Sequence, residues 1–195
     1  MHIVPTSTSP NSEPTQNGNT CFGEDSLRAV AEYRILDTSH DQAFDGLCAL
    51  AAQLSQLPMA VISIADRDRV WFKSSNGLSG KQAPIDISFC TWVINSGEFF
   101  QVEDACADSR FADNPQVSGA PGIRHYAGMP LINPQGIVVG AIAVFSDQPG
   151  TLDSAQIDGL QRLANQVVAL LELGRRQRLI TERDTKLAAS ERLRQ

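Results

Sequence analysis

Apolar positions early in the chain follow a helical period. Phe44, Leu47, Cys48, Ala51, Ala52 and Leu54 recur three and four residues apart, which turns one stripe of a helix beginning at Asp41 toward a core. Pro58 ends it, because the residue before a proline is pushed out of the helical region. A shorter helix is predicted over 27–33, followed by Arg34-Ile35-Leu36-Asp37-Thr38. The pattern then changes. Residues 59–66 and 70–75 are strand-length runs rich in β-branched, apolar and aromatic residues, and the polar turn over 66–69 predicts an antiparallel hairpin. Residues 87–94 predict a short helix stopped by Ser96-Gly97, and 99–102 a strand. A loop with Pro115, Gly119, Pro121 and Gly122 spans 104–122. Strands over 124–132 and 137–145 then flank the turn Asn133-Pro134-Gln135-Gly136.

The last element is the longest. Asp153 caps it with Gln156 as the capping-box partner, and Ile157, Leu160, Ala164, Val167 and Leu171 form a seam that Leu163 and Leu170 widen. Beyond Gly174 the seam thins to Leu179, Ile180, Leu187 and Leu193. Two helices, two strands, a short helix, a strand, a loop, two strands and a long helix predict an α+β domain with an antiparallel sheet, not alternating βαβ units. The expected organisation is a disordered leader over 1–24, one domain over 25–174 and a C-terminal signalling helix or linker over 175–195.

Charge sharpens this division. The 195 residues carry a formal net charge of -6. Residues 175–195 hold seven basic and three acidic side chains, which leaves the remainder at -10. An acidic body with a basic helical tail argues against a nucleic-acid partner, which needs a basic footprint. No apolar run is long enough to cross a membrane, and residues 1–20 lack the charged start and apolar stretch of a secretory signal. The expected location is therefore cytoplasmic, where Cys21, Cys48, Cys90 and Cys106 remain reduced. Their scatter, with no Cys-x-x-Cys pair and no Cys/His cluster, points away from zinc.

Candidate chemistry is sparse. His2, His40 and His125 are isolated, and dinucleotide, phosphate-loop, serine-hydrolase and zinc-protease motifs are missing. Cys90 stands near a helix start, where the dipole would lower its pKa; the alternative is a small buried core residue between Phe89 and Trp92. Glu103, Asp104, Asp108 and Asp113 cluster around Arg110, as a metal or acid–base site or simply as a solvated loop with a local ion pair.

Several blocks taken in order resemble a GAF domain, of the type found N-terminal in bacterial sensor histidine kinases and diguanylate cyclases. They are Ile35-Leu36-Asp37-Thr38, Phe44-Asp45, Trp71-Phe72-Lys73, Phe89-Cys90 with Ile94, Asp104, the run from Asp108 to Pro115, the run from Ile123 to Leu131, and Gly136 with Gly140. Trp92 stands where that type usually has His, His125 where it often has Phe, and Ala143 and Ser146 where Cys and Asp are frequent. The resemblance implies a GAF/PAS-like sheet with helices on one face and, on the other, a pocket under the short helix and the long loop. It implies a ligand-binding set of Phe89, Cys90, Trp92, Asp104, Arg110, Phe111 and Tyr126, with Arg110 able to hold a carboxylate or phosphate. The cyclic-nucleotide signature is missing, and no Cys lies between Asp108 and Arg124 for a covalent bilin, so no cofactor is expected. The Cys-rich pattern of free methionine sulfoxide reductase is also missing.

These implications support a non-catalytic sensory module that binds a small molecule or partner protein and signals through a homodimer, a parallel bundle of its C-terminal helices. A histidine kinase or cyclase output partner is expected in trans or as part of a larger protein. The alternative is a thiol-based redox sensor or reductase centred on Cys90, which requires a reactive, accessible thiol. A third, purely dimerising reading predicts a filled pocket.

Overall fold

The computed structural model describes residues 22–192. Helix α1 (Glu24–Tyr33) and helix α2 (Gln42–Ser55) open the domain. Asp41 caps α2 by accepting the Ala43 N–H at 2.9 Å, a contact worth about 1 kcal/mol in such positions. Gln56 then takes a left-handed conformation that ends the helix before Pro58.

Strands β1 (Met59–Ala65) and β2 (Arg69–Asn76) form the expected hairpin, with Ala65 paired to Val70. The sequence pattern leaves out β3 (Gln82–Pro84), three residues that extend the sheet along β2. After it come α3 (Cys90–Ser96), β4 (Phe100–Val102), α4 (Pro115–Ser118), β5 (His125–Ile132), β6 (Val138–Ser146) and α5 (Ser154–Arg192). The six strands run in the order β3-β2-β1-β6-β5-β4, and all neighbours are antiparallel. Helix α4, inside the expected loop, starts at Asn114-Pro115: Asn114 caps the Gln116 N–H at 2.8 Å, and Pro115 occupies the first turn.

Strand alternation divides the core in two. Helices α1, α2 and α5 pack on one another and on the sheet; α3 packs on β5 and β6. Tyr126 and Gly128 face α3: a side chain on Gly128 would collide with the Tyr126 hydroxyl and with Val93. Glycine at 128 thus makes room for the tyrosine ring. The fully buried β1 and central β6, both Ala-, Val- and Ile-rich, join the two halves.

Helix α5 starts with the predicted capping box, Gln156 N–H to Asp153 at 2.8 Å and Asp153 N–H to Gln156 at 2.9 Å. It continues unbroken through Gly174, so the expected boundary at 174 falls inside one 39-residue helix. Its first half buries Leu160, Leu163, Ala164, Val167 and Leu171. Its second half leaves Leu173, Leu179, Ile180 and Leu187 more than half exposed. At the other end Phe22, inside the expected leader, is buried, so the ordered domain begins at or before it. Residues 1–21 and 193–195, including most of that leader, lie outside the described residues.

Candidate functional site under helix α3

The residues expected to form a ligand pocket do meet, but mostly with one another. Phe89, just before α3, stacks on Phe111 of the 103–122 loop with ring centroids 4.5 Å apart and planes at 14°. It also stacks on Tyr126 of β5 at 5.2 Å. Tyr126 meets Phe145 of β6 edge-on at 5.1 Å. Phe89, Phe111 and Tyr126 are at most 2% exposed, so the space between α3 and the sheet is occupied by aromatic rings. Each such contact contributes about 0.5–1.5 kcal/mol beyond simple burial.

The rim of this stack is partly exposed. Trp92 stacks on Phe100 at 5.8 Å and meets Phe111 edge-on at 5.4 Å. The Arg110 guanidinium lies 5.2–5.4 Å from the Trp92, Phe100 and Phe111 rings, a cation–π arrangement on three aromatic faces. Asp108 fixes it there, accepting from Nε at 2.9 Å and from the terminal nitrogen at 2.5 Å. The pairing holds the Asp108 carboxyl below its ordinary pKa and raises that of Arg110. Arg110 thus serves the loop that carries it before any ligand.

Asp104 is engaged within the protein. Its carboxylate takes a two-pronged contact from Arg124 at 2.6 Å on each oxygen and caps the Cys106 N–H at 3.1 Å. The Arg124 hydrogen bond lowers its pKa. Asp104 pins the start of the loop to the β5 edge and stays outside the aromatic stack. Asp104 and Asp108 are thus committed to arginines, and among the described residues no group of three His, Cys, Asp or Glu side chains is arranged to hold a metal.

Of the two readings of Cys90, the structure has the small buried core residue. It opens α3, yet it is only 2% exposed, and burial pushes its thiol pKa up. Desolvation outweighs any help from a helix of seven residues. Ser63, Ser88 and Tyr126 surround it. Of the other described cysteines, Cys48 is buried with its thiol raised to about 11, and Cys106 is exposed.

Two buried polar groups at this end have no hydrogen-bond partner among the described residues. One is the Tyr126 hydroxyl, which has the Cys90 thiol as a polar neighbour; the other is the His125 ring, at both nitrogens. His125 is 1% exposed beneath Gly150, where a Cβ would come within 3.1 Å of Nδ1. Burial depresses its pKa.

The early blocks of the resemblance converge elsewhere. Lys73 is buried over the Phe44 ring at 5.2 Å and donates to Thr38 at 3.1 Å and to the Ser39 carbonyl at 2.8 Å. Ser74 donates to Asp45 at 2.6 Å. These contacts tie the α1–α2 connection to β2 and lie apart from the α3 site.

On the helical side sequence reasoning missed a polar cluster that fastens α5 to α1. Tyr33 donates to Glu172 at 2.5 Å, Arg175 pairs with Glu32 at 2.6 Å, Arg34 pairs with Glu182 at 2.6 Å, and Arg178 donates to the Tyr33 carbonyl. A cleft of about 410 Å³ lies there, lined by Arg28, Arg34, Arg175 and Arg178 with Glu32 and Glu182. No local pattern announces these contacts, because the paired residues are more than 130 positions apart.

The model of the GAF domain matches residues 39–171, from just before α2 to the last buried turn of α5. The chain belongs to the GAF domain family. Over 154 residues, 78% of the chain, it is 38% identical to a cyclic di-GMP phosphodiesterase of Pseudomonas aeruginosa, of which it spans 26%. Among solved structures it is similar to the GAF domain of an Acinetobacter phosphoenolpyruvate-protein phosphotransferase, with 20% identity, TM-score 0.55, and coverage of 76% of this chain and 91% of that one. A free methionine-R-sulfoxide reductase from Neisseria meningitidis, solved with its substrate, aligns at 17% identity and TM-score 0.57 over 91% of this chain and 99% of that one. These structural likenesses establish the GAF fold. Within it this chain has a six-stranded antiparallel sheet, α3 packed on β5 and β6, and a long α5. Among the described residues no helix is long and apolar enough to cross a membrane.

Proposed function

We propose that this chain is a non-catalytic regulatory GAF module in bacterial signal transduction, working in the cytoplasm as a homodimer through α5. The observation that carries the reading is the two-sidedness of α5 beyond the domain. At 3.6 residues per turn, Arg175, Arg178 and Glu182 share the side held by α1, while Leu173, Ile180 and Leu187 lie about half a turn away. Those three are 58%, 60% and 57% exposed. One side of the helix is fastened to its own domain and the other presents an apolar stripe, as expected of an element that passes a change of packing to a second chain.

Input reaches the domain through the 103–122 loop. Phe111 occupies the interior against Phe89, so a small molecule enters by displacing Phe111, whereas a partner protein engages the rim of Trp92, Phe100 and Arg110. No cofactor is needed for either. The similarity to a cyclic di-GMP phosphodiesterase supports an output in cyclic di-GMP signalling, with any catalysis residing in that output. A redox role for Cys90 draws no support from a sealed thiol with a raised pKa.

Native mass spectrometry of protein purified from its own cells tests the reading. A dimer carrying a small mass that is lost on denaturation supports ligand input, and a bare dimer assigns input to a partner protein. A monomer refutes output through α5.

A further inference from the structure

We infer that residues 147–153, the connection from β6 to α5, form a proton-sensitive latch that closes over His125 and holds the start of α5. Its consequence for signalling rests on the reading of α5 as the output; the latch itself does not. Strand alternation puts Phe100 and Tyr126 on the α3 face, and Gln101, Ala127 and His125 on the other. The connection leaves β6 at Ser146, the residue paired with His125, and turns back across that second face. Gly150 comes to lie against the histidine ring, so close that a Cβ there would stand 3.1 Å from Nδ1.

Three hydrogen bonds fasten the connection to β4 and the residue after it. The Gly150 N–H donates to the Glu103 carbonyl at 2.9 Å, the Leu152 N–H to Gln101 Oε1 at 3.0 Å, and Gln101 Nε2 to Thr151 Oγ1 at 2.7 Å. Two of the three depend on one side chain. Leu152 is buried, while 147–149 and Thr151 are exposed. The next residue, Asp153, accepts the Gln156 N–H at the start of α5, so the fastening ends one residue before the helix cap.

His125 is 1% exposed, and neither ring nitrogen has a partner among the described residues. The neutral ring leaves one N–H and one lone pair unmet. An imidazolium has two N–H groups and a charge, and burying it without an acceptor costs far more. Proton uptake therefore requires water at the ring, and the exposed connection, rather than the buried strands, can lift to admit it. Glu103 is the charged group that bears on the ring, and its charge favours protonation. From β6 the ring is paired with the uncharged Ser146, and Arg124 beside it is engaged by Asp104. The charges of the connection and of the first turns of α5, Asp147, Asp153, Asp158 and Arg162, are exposed. Acid thus shifts the latch from closed to open and loosens the first turn of α5.

Native-state hydrogen exchange at pH 7.5 and 5.5, corrected for the intrinsic rate, tests the latch on the full chain. When only the open form takes the proton, with a pKa near 6.5, the opening constant rises about 10-fold over that interval. The Gly150, Leu152 and Gln156 amides should lose about 10-fold in protection, from a level well below that of the β6 amides, which report global unfolding. His125→Phe should abolish the loss. Gln101→Leu keeps the histidine and the acceptor of Gly150. It should lower Gly150 protection at pH 7.5 by roughly 5-fold, the equivalent of one hydrogen bond, and retain the response to acid. Gly150 and Leu152 protection that ignores pH, falls equally in His125→Phe, or is untouched by Gln101→Leu overturns the latch. A fall there without one at Gln156 overturns its hold on α5. None of these measurements depends on assembly, so a monomeric protein would refute output through α5 without altering them.

Discussion

Two tyrosines occupy opposite faces of the sheet, both almost fully buried and with opposite consequences. Tyr33, at the end of α1, donates its hydroxyl to Glu172 of α5 at 2.5 Å. Tyr126, on β5, buries its hydroxyl among aromatic rings with no hydrogen-bond partner among the described residues. Burial raises the pKa of both phenols, so each is a neutral donor at physiological pH. At Tyr33 the donor is used, and it ties α5 to α1. At Tyr126 only the ring is used. The α1–α5 seam therefore adds a directional contact that fails when one partner is lost, while the interior of the aromatic stack uses packing without a polar contact.

The sharpest way to break this contrast is Tyr33→Phe. The substitution keeps the ring and removes the donor to Glu172, a carboxylate in a residue only 8% exposed. Leaving a buried acceptor short of a partner costs about 1–3 kcal/mol. Arg175, 3.8 Å from the other carboxylate oxygen, offsets part of that loss and holds the effect in the lower half of the range. Urea unfolding should show a lower midpoint at unchanged slope. An unchanged midpoint would mean that Glu172 is served by Arg175 and solvent, and that the α1–α5 tie is weaker than its geometry implies.

The contrast also explains what the sequence made legible. Period and turn chemistry located α2, the two hairpins and the capping box of α5, because each is specified within a few neighbouring residues. The aromatic stack was half legible. Phe89, Trp92, Phe111 and Tyr126 came with the family resemblance, but Phe100 read only as a strand residue and Phe145 only as hairpin. The Tyr33–Glu172 contact was invisible, since it joins helices at opposite ends of the chain. Strand β3 is too short and too exposed to show a period. Helix α4 did have a local signal, the Asn114-Pro115 start, but proline and glycine nearby made the stretch read as loop. Asp104 and Cys90 show the limit of residue type: the sequence leaves open whether a carboxylate is paired or a thiol buried, and Arg124 engages the one while burial under α3 takes the other.

His125 extends the contrast to pH, with a smaller effect. Its ring is buried, unpartnered among the described residues and held neutral, with its pKa depressed by burial. A lowered folded-state pKa means that stability is fully present above the unfolded value, near 6.5, and declines as pH falls below it. The unfolded chain then takes up a proton that the folded chain refuses. One such group sets a limiting slope of about 1.4 kcal/mol per pH unit on the acid side. His125→Phe should flatten the fall in stability between about pH 6.5 and 5.5 by up to that amount. If the two proteins lose stability in parallel over that interval, the proton is taken up elsewhere, and Glu103, the acid whose charge favours protonation of His125, is the first residue to vary.

The smallest effect, and the one that decides the comparison, is Tyr126→Phe. In most proteins removing a buried tyrosine hydroxyl is destabilising because a hydrogen bond is lost. Here no partner is left unsatisfied, so the hydroxyl contributes only the cost of being taken out of water. Its removal should leave stability unchanged or raise it by up to about 1 kcal/mol. Gly128, which accommodates the hydroxyl, would then face a void of about one oxygen atom, and the loss of those contacts limits the gain. A loss of 1 kcal/mol or more would show that the hydroxyl has a partner in solution, the neighbouring Cys90 thiol or an ordered water, and Cys90→Ala, which removes the first, separates the two. If the loss persists in the Cys90→Ala background, the face under α3 is a hydrated polar site closed by aromatics, and Tyr33 and Tyr126 differ only in whether their partner is protein or water.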